Sequence, residues 1–183
     1  MKKFFKILGV GIILFLSFIS FSYGTTVSIP ESSGASGSVV EIPINIDDGG
    51  GVAGFQFTIT YNSEVLKAIG VIEGSLTKGW TIVADTQVSG EIKVAGANLS
   101  LQGLPSGSSG SLCILRFEVI GSSGQTTDLS FTFSKLTNSL GASISHTTQN
   151  GRFTVSGVVE PASISGTISY QGTKTGKILI GLF

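Results

Sequence analysis

Beyond its first two dozen residues the chain alternates apolar and polar side chains with a period of two, broken by glycine-rich turns. No helical period lasts long enough to build a helix. Val40, Ile42, Ile44 and Ile46 alternate with Glu41, Pro43 and Asn45, and Phe55, Phe57, Ile59 and Tyr61 with Gln56, Thr58 and Thr60. Ile92 and Val94 stand between Glu91, Lys93 and Ala95; Leu129, Phe131 and Phe133 alternate with Ser130, Thr132 and Ser134; Phe153 and Val155 flank Thr154. Successive strand residues point to opposite faces, so each segment has one apolar side that another sheet must cover. Asp47 to Gly51, Ser89-Gly90, Ser106 to Gly110, Gly121 to Gly124 and Asn150-Gly151 interrupt the pattern with turn residues. About nine strands fit between Val27 and Val155. The expected fold is all-β: a nine-stranded antiparallel β-sandwich of jelly-roll topology. Pro43 cannot donate to a ladder, so its strand should lie at an edge or carry a bulge there.

Composition narrows the function. Apolar residues make up 41 % of the chain, enough for a core, while lysine plus arginine and aspartate plus glutamate each total 11. Without a basic excess there is nothing to neutralise phosphates, and nucleic acid is not an expected partner. One histidine and one cysteine exclude most metal sites, disulfide frameworks and histidine-dependent catalysis. Cys113 shares an apolar face with Leu115, Phe117 and Val119 and reads as a small buried hydrophobe. His146 reads as a solvated loop residue and Asp47-Asp48 as a solvated turn, because a calcium loop needs further acids at set spacing. The acids are scattered, with no pair placed for glycoside hydrolysis. Gly49-Gly50-Gly51 leads into a strand, not a helix, and does not read as a phosphate cradle. No catalytic residue, metal or cofactor is expected, and the chain is not expected to be an enzyme.

Both ends differ from the middle. Lys2, Lys3 and Lys6 precede an apolar run from Ile7 to Phe21, and Ser22-Tyr23-Gly24 supplies small residues for cleavage. Residues 1–24 are therefore expected to be a signal peptide, cut after Gly24. The run is 15 residues long, short of the ~20 that span a bilayer, so the mature form should have no membrane span. It would carry eight basic and eleven acidic residues and be secreted, extracellular or displayed at the cell surface. Residues 25–157 then form the sandwich and 158–163 a linker. Residues 164–183, with two strand patterns around Gln171 to Gly176, are expected to be the truncated start of a second β module.

The order of motifs resembles a known family. Gly51 to Leu66, an alternating strand ending in Tyr61-Asn62-Ser63 and followed by Val65-Leu66, is similar to the third-strand signature of cohesin domains. Gly37 to Ile44 resembles that family's second strand, Gly110 to Val119 its seventh, and Asn150 to Val155 its closing strand. Asn62-Ser63 stands where Asp-Pro is usual, a mild departure because Asn also opens turns. The resemblance covers about Thr26 to Ser156 and implies a module that docks dockerin-bearing proteins of polysaccharide-degrading or cell-surface assemblies. Any calcium would belong to the dockerin.

The resemblance also implies a face. Cohesin partners lie across one sheet, whose strands would here be Gly54 to Tyr61, Trp80 to Asp85, Ile92 to Asn98 and Asp128 to Ser134. The partner-binding residues would be Gly54, Gln56, Thr58, Thr60, Lys93, Ala95, Ala97 and Asn98. Cohesins with well-described partners often carry Asn and Asp where Gly54 and Gln56 stand, so a different partner set or weaker binding is expected. The alternative is a carbohydrate-binding or adhesive surface module with polysaccharide as ligand, which should show an aromatic strip. Trp80, aligned with Ile82 and Ala84, reads instead as core or rim packing.

Overall fold

The computed structural model describes residues 24–157. The expected signal peptide (apart from Gly24), the linker and the second-module hairpin lie outside them. Twelve strands form: β1 (Thr25–Ser28), β2 (Ser32–Ala35), β3 (Val39–Ile46), β4 (Gly54–Thr60), β5 (Leu66–Glu73), β6 (Thr81–Asp85), β7 (Glu91–Ala97), β8 (Gly110–Val119), β9 (Thr126–Thr137), β10 (Ser143–Ile144), β11 (His146–Gln149) and β12 (Gly151–Ser156). They make an all-β sandwich. One sheet runs β11-β1-β3-β8-β5, and the other runs β2-β12-β9-β4-β7-β6 with β10 beside β9.

Two expectations are corrected. The strands exceed nine because β2, β10 and β11 are short, mostly polar segments without alternation, held by their neighbours and not by an apolar face of their own. The pairing is also not wholly antiparallel, since β1 runs parallel to β11 and β2 parallel to β12. Both exceptions join the start of the domain to its end. Between β1 and β2 the chain crosses from one sheet to the other, with the Ile29 N–H donating to the Gln149 carbonyl at 3.0 Å.

The core follows from the alternation. Ile42, Ile44 and Ile46 of β3 and Cys113, Leu115, Phe117 and Val119 of β8 face Phe55, Phe57 and Ile59 of β4 and Leu129 of β9 in one buried cluster. Fully burying side chains of this size contributes roughly 1.5–3 kcal/mol each. Burial pushes the Cys113 thiol far above its ordinary range and keeps it uncharged. Pro43 meets its constraint in both ways. β1 reaches β3 only at Asn45 and Ile46, and the β3–β8 register slips between Ile44 and Asn45.

Three polar residues read as solvated are structural. Asp47 Oδ1 accepts from the Thr26 N–H at 2.7 Å and from the Asp48 N–H at 2.8 Å, which holds its carboxyl below the usual carboxylate range. Asp48 Oδ1 accepts from Gly50 and Gly107 N–H groups, both at 2.9 Å, fastening two loops together. His146 is half-buried at the start of β11. Its Nδ1 lies 3.0 Å from the Ile144 carbonyl and its Nε2 lies 2.6 Å from Ser134 Oγ on β9. A carbonyl can only accept, so Nδ1 donates to Ile144, and the Nε2 contact with Ser134 Oγ ties the two sheets.

Candidate functional site

The four segments singled out in the sequence lie side by side as β9-β4-β7-β6. Their registers fix the outward face as a grid. One row reads Thr137, Gly54, Ala97, Thr81; the next Lys135, Gln56, Ala95, Val83; the third Phe133, Thr58, Lys93, Asp85. Thr60, between Ser130 and Glu91, extends it by one step.

Exposure divides the predicted residues. Gln56, Lys93 and Ala97 are exposed, while Thr58, Thr60, Ala95 and Asn98 are half-buried. Gly54, expected among the exposed set, is buried. A side chain there would meet Thr137 Oγ1 at 2.8 Å, so the row stays open only with a glycine at this position. Asn98 turns its side chain to its own loop, with Nδ2 donating to the Gln102 carbonyl at 2.8 Å and Oδ1 accepting from the Ser100 N–H at 3.0 Å. Asn98-Leu99-Ser100, a glycosylation sequon by pattern, therefore has its amide already engaged within the loop.

An aromatic layer lies beneath the face. Phe55 stacks on Phe57 with ring centroids 5.1 Å apart and on Trp80 at 6.4 Å. Phe57 meets the edge of Phe131 at 5.6 Å. Trp80 is 8 % exposed, a core residue as its alignment with Ile82 and Ala84 implied. Gly96 has no side chain because the Phe55 ring occupies that space.

Sequence reasoning missed the residues that most mark this face. Strand β9 was expected to hold Leu129, Phe131 and Phe133 on the core side. The β4–β9 register instead slips between Thr58, opposite Phe133, and Ile59, opposite Phe131. Thr132 is the additional residue, and its hydroxyl donates to the Thr58 carbonyl at 3.3 Å. A bulge of this kind reverses the side-chain phase beyond it. Phe131 stays packed on the core, Phe133 is turned outward and left 48 % exposed, Lys135 points to solvent and Leu136 is fully buried. The signal was present in Lys135-Leu136, since unbroken alternation would bury the lysine and expose the leucine.

Two shallow depressions result. One, of about 280 Å³, has Gly54, Ala97, Thr81, Val83, Lys135 and Thr137 around it; the other, of about 350 Å³, lies among Gln56, Thr58, Val83, Asp85, Lys93 and Phe133. Neither encloses a nucleophile and base within bonding reach. Among the described residues no three His, Cys, Asp or Glu side chains gather where they could hold a metal ion.

Comparison with known proteins gives this face its context. The cohesin domain family model matches residues 25–155. The chain belongs to the cohesin family. A non-cellulosomal cohesin from the archaeon Archaeoglobus fulgidus superposes with a TM-score of 0.63 at 24 % identity, covering 73 % of this chain and 92 % of the other. The sixth cohesin of Acetivibrio cellulolyticus scaffoldin B, solved in complex with a Cel5 dockerin, gives 0.63 at 20 % identity over 72 % and 99 %. A Clostridium thermocellum OlpC cohesin in a type I complex with a dockerin gives 0.62 at 18 % identity over 73 % and 94 %. At these identities the likeness shows the cohesin fold alone. No curated protein matches the sequence.

Proposed function

We propose that this cohesin is a non-catalytic module that docks a dockerin-type protein on the β9-β4-β7-β6 face. The observation that carries the reading is the face itself: a continuous four-strand surface whose central positions are mostly Gln, Thr, Ala and Gly, with two shallow depressions. Small and polar side chains let a folded partner lie close to the sheet, while a catalytic site needs a concave pocket with converging groups. Family membership and cohesins solved with dockerins support the same reading. We further propose that the module is exported and works in an extracellular or cell-surface assembly, including those that degrade polysaccharides, with calcium held by the partner.

A sugar-binding platform is less well supported. Such platforms need several coplanar exposed rings, and among the described residues Phe133 is the one aromatic side chain that stands exposed. The test is capture of purified dockerin modules by the full chain and by its Gln56→Arg/Thr58→Arg variant. The double change should abolish capture while the melting temperature is kept, because bulk and charge spoil a flat interface. Undiminished capture would place the partner on another surface.

A further inference from the structure

The charges on this face are distributed unevenly. Of the cations in the described residues, Lys67, Lys93, Arg116 and Arg152 each have a carboxylate within 3.5 Å. Lys93 is held by Glu91 at 3.1 Å and lies across from Asp85, so on the β7–β6 side of the face two carboxylates share one lysine. Lys135 is different. It is exposed on the outward side of β9, its cross-strand neighbour is the neutral Gln56, and like Lys78 in the loop before β6 it has no carboxylate paired with it among the described residues. It is thus a lone positive charge on the β9 side of the face, separated by the neutral Gln56 and Ala95 row from the charges on β7 and β6.

Two apolar side chains accompany it. Phe133 is 48 % exposed and Val83 is 58 % exposed, on the outer strands of the four-strand face, with Gln56, Thr58 and Ala95 between them. Large exposed apolar groups framing a polar floor mark a place where a partner is seated. The bulge at Thr132 is what brings Phe133 and Lys135 to this side together, and bulges that re-aim side chains concentrate near functional sites.

We infer that the partner's docking segment presents a carboxylate to Lys135 and an apolar side chain to the depression between Phe133 and Val83. This rests on the dockerin reading above and specifies its chemistry: the cognate module carries a carboxylate where its contact segment meets β9. A cation at that point would set like charge against Lys135, whereas the surplus carboxylate of the Glu91–Lys93–Asp85 group lies across the face on β7 and β6. The apolar contact supplies affinity by desolvation, and the charge contact sets which partner is accepted and in what register.

The experiment uses the full chain against purified dockerin modules grouped by whether their contact segments carry a carboxylate. The expected result is preferential capture of the carboxylate-bearing group. Lys135→Glu should weaken that capture about tenfold or more, and reversing the partner's carboxylate to lysine should restore it. Phe133→Ser should weaken binding to every captured module while unfolding stays cooperative. If dockerins are captured without regard to charge, and Lys135→Glu changes nothing, this inference falls while the docking function stands. If no dockerin is captured, both fall.

Discussion

Deleting Thr132 is the sharpest test of how β9 is built. In the structure Phe131 pairs with Ile59 and Phe133 with Thr58, so Thr132 has no partner of its own in the ladder. Removing it would make those two pairs consecutive, with Phe131 still inward and Phe133, Lys135 and Leu136 unchanged in direction. The main loss is the hydrogen bond from the Thr132 hydroxyl to the Thr58 carbonyl, which contributes about 0.5–1.5 kcal/mol. Were the strand in unbroken alternation, the same deletion would swing every later residue to the opposite face. Exposing a fully buried leucine such as Leu136 would then cost roughly 1.5–3 kcal/mol, and displacing its neighbours would add to that. Urea denaturation should show a single cooperative transition with an unchanged slope and a loss of about 1 kcal/mol. A loss above roughly 4 kcal/mol, or a broadened transition, would refute the bulge as the origin of the outward Phe133 and Lys135.

Gly96→Ala should destabilise by about 1–3 kcal/mol, because a methyl group there displaces the Phe55 ring from its stack on Phe57 and Trp80. The single tryptophan of the chain reports the displacement, so unchanged Trp80 emission and melting temperature would contradict it. Asp47 gives a pH dependence. The Thr26 N–H and further backbone bonds lower its folded-state pKa, so its contribution is full above the ordinary carboxylate range and fades as pH falls through the folded value. Asp47→Asn should therefore flatten the acid limb of the stability profile; an unaltered limb would mean that the Thr26 contact does not persist in solution.

The sandwich was legible where alternation was clean. β3, β4, β7 and β12 each bury the apolar residues that a period of two assigned to the core. Cys113 and Trp80 were legible for the same reason, since their neighbours at even spacing are apolar. Legibility failed where a residue's state depends on something far along the chain. The ring of His146 is held by Ser134, and β11 exists only because β1 lies beside it. Gly54 is buried by Thr137, a residue on another strand. Phe133 was misassigned because a bulge is a relation between two strands, and the phase error it leaves within one strand is a single pair of letters. The candidate face was thus located from strand order, while its exposed aromatic side chain and its lone lysine on β9 emerged only once register was known.

The two parallel pairings have a kinetic consequence. Among the described strands β1 and β2 are made first on the ribosome, yet their partners β11 and β12 are made last, with Thr26 aligned on Thr147 and Ser33 on Thr154. Contacts so distant in sequence require closure of nearly the whole domain and slow the search for the native state. Until Ser156 is available, β1 and β9 each present an unpaired edge, the form of strand most prone to join another molecule. A nascent or truncated chain ending before β11 should therefore remain unfinished and association-prone however complete its core residues are. Folding as one event, after synthesis of the last strand, is built into the way this sandwich closes.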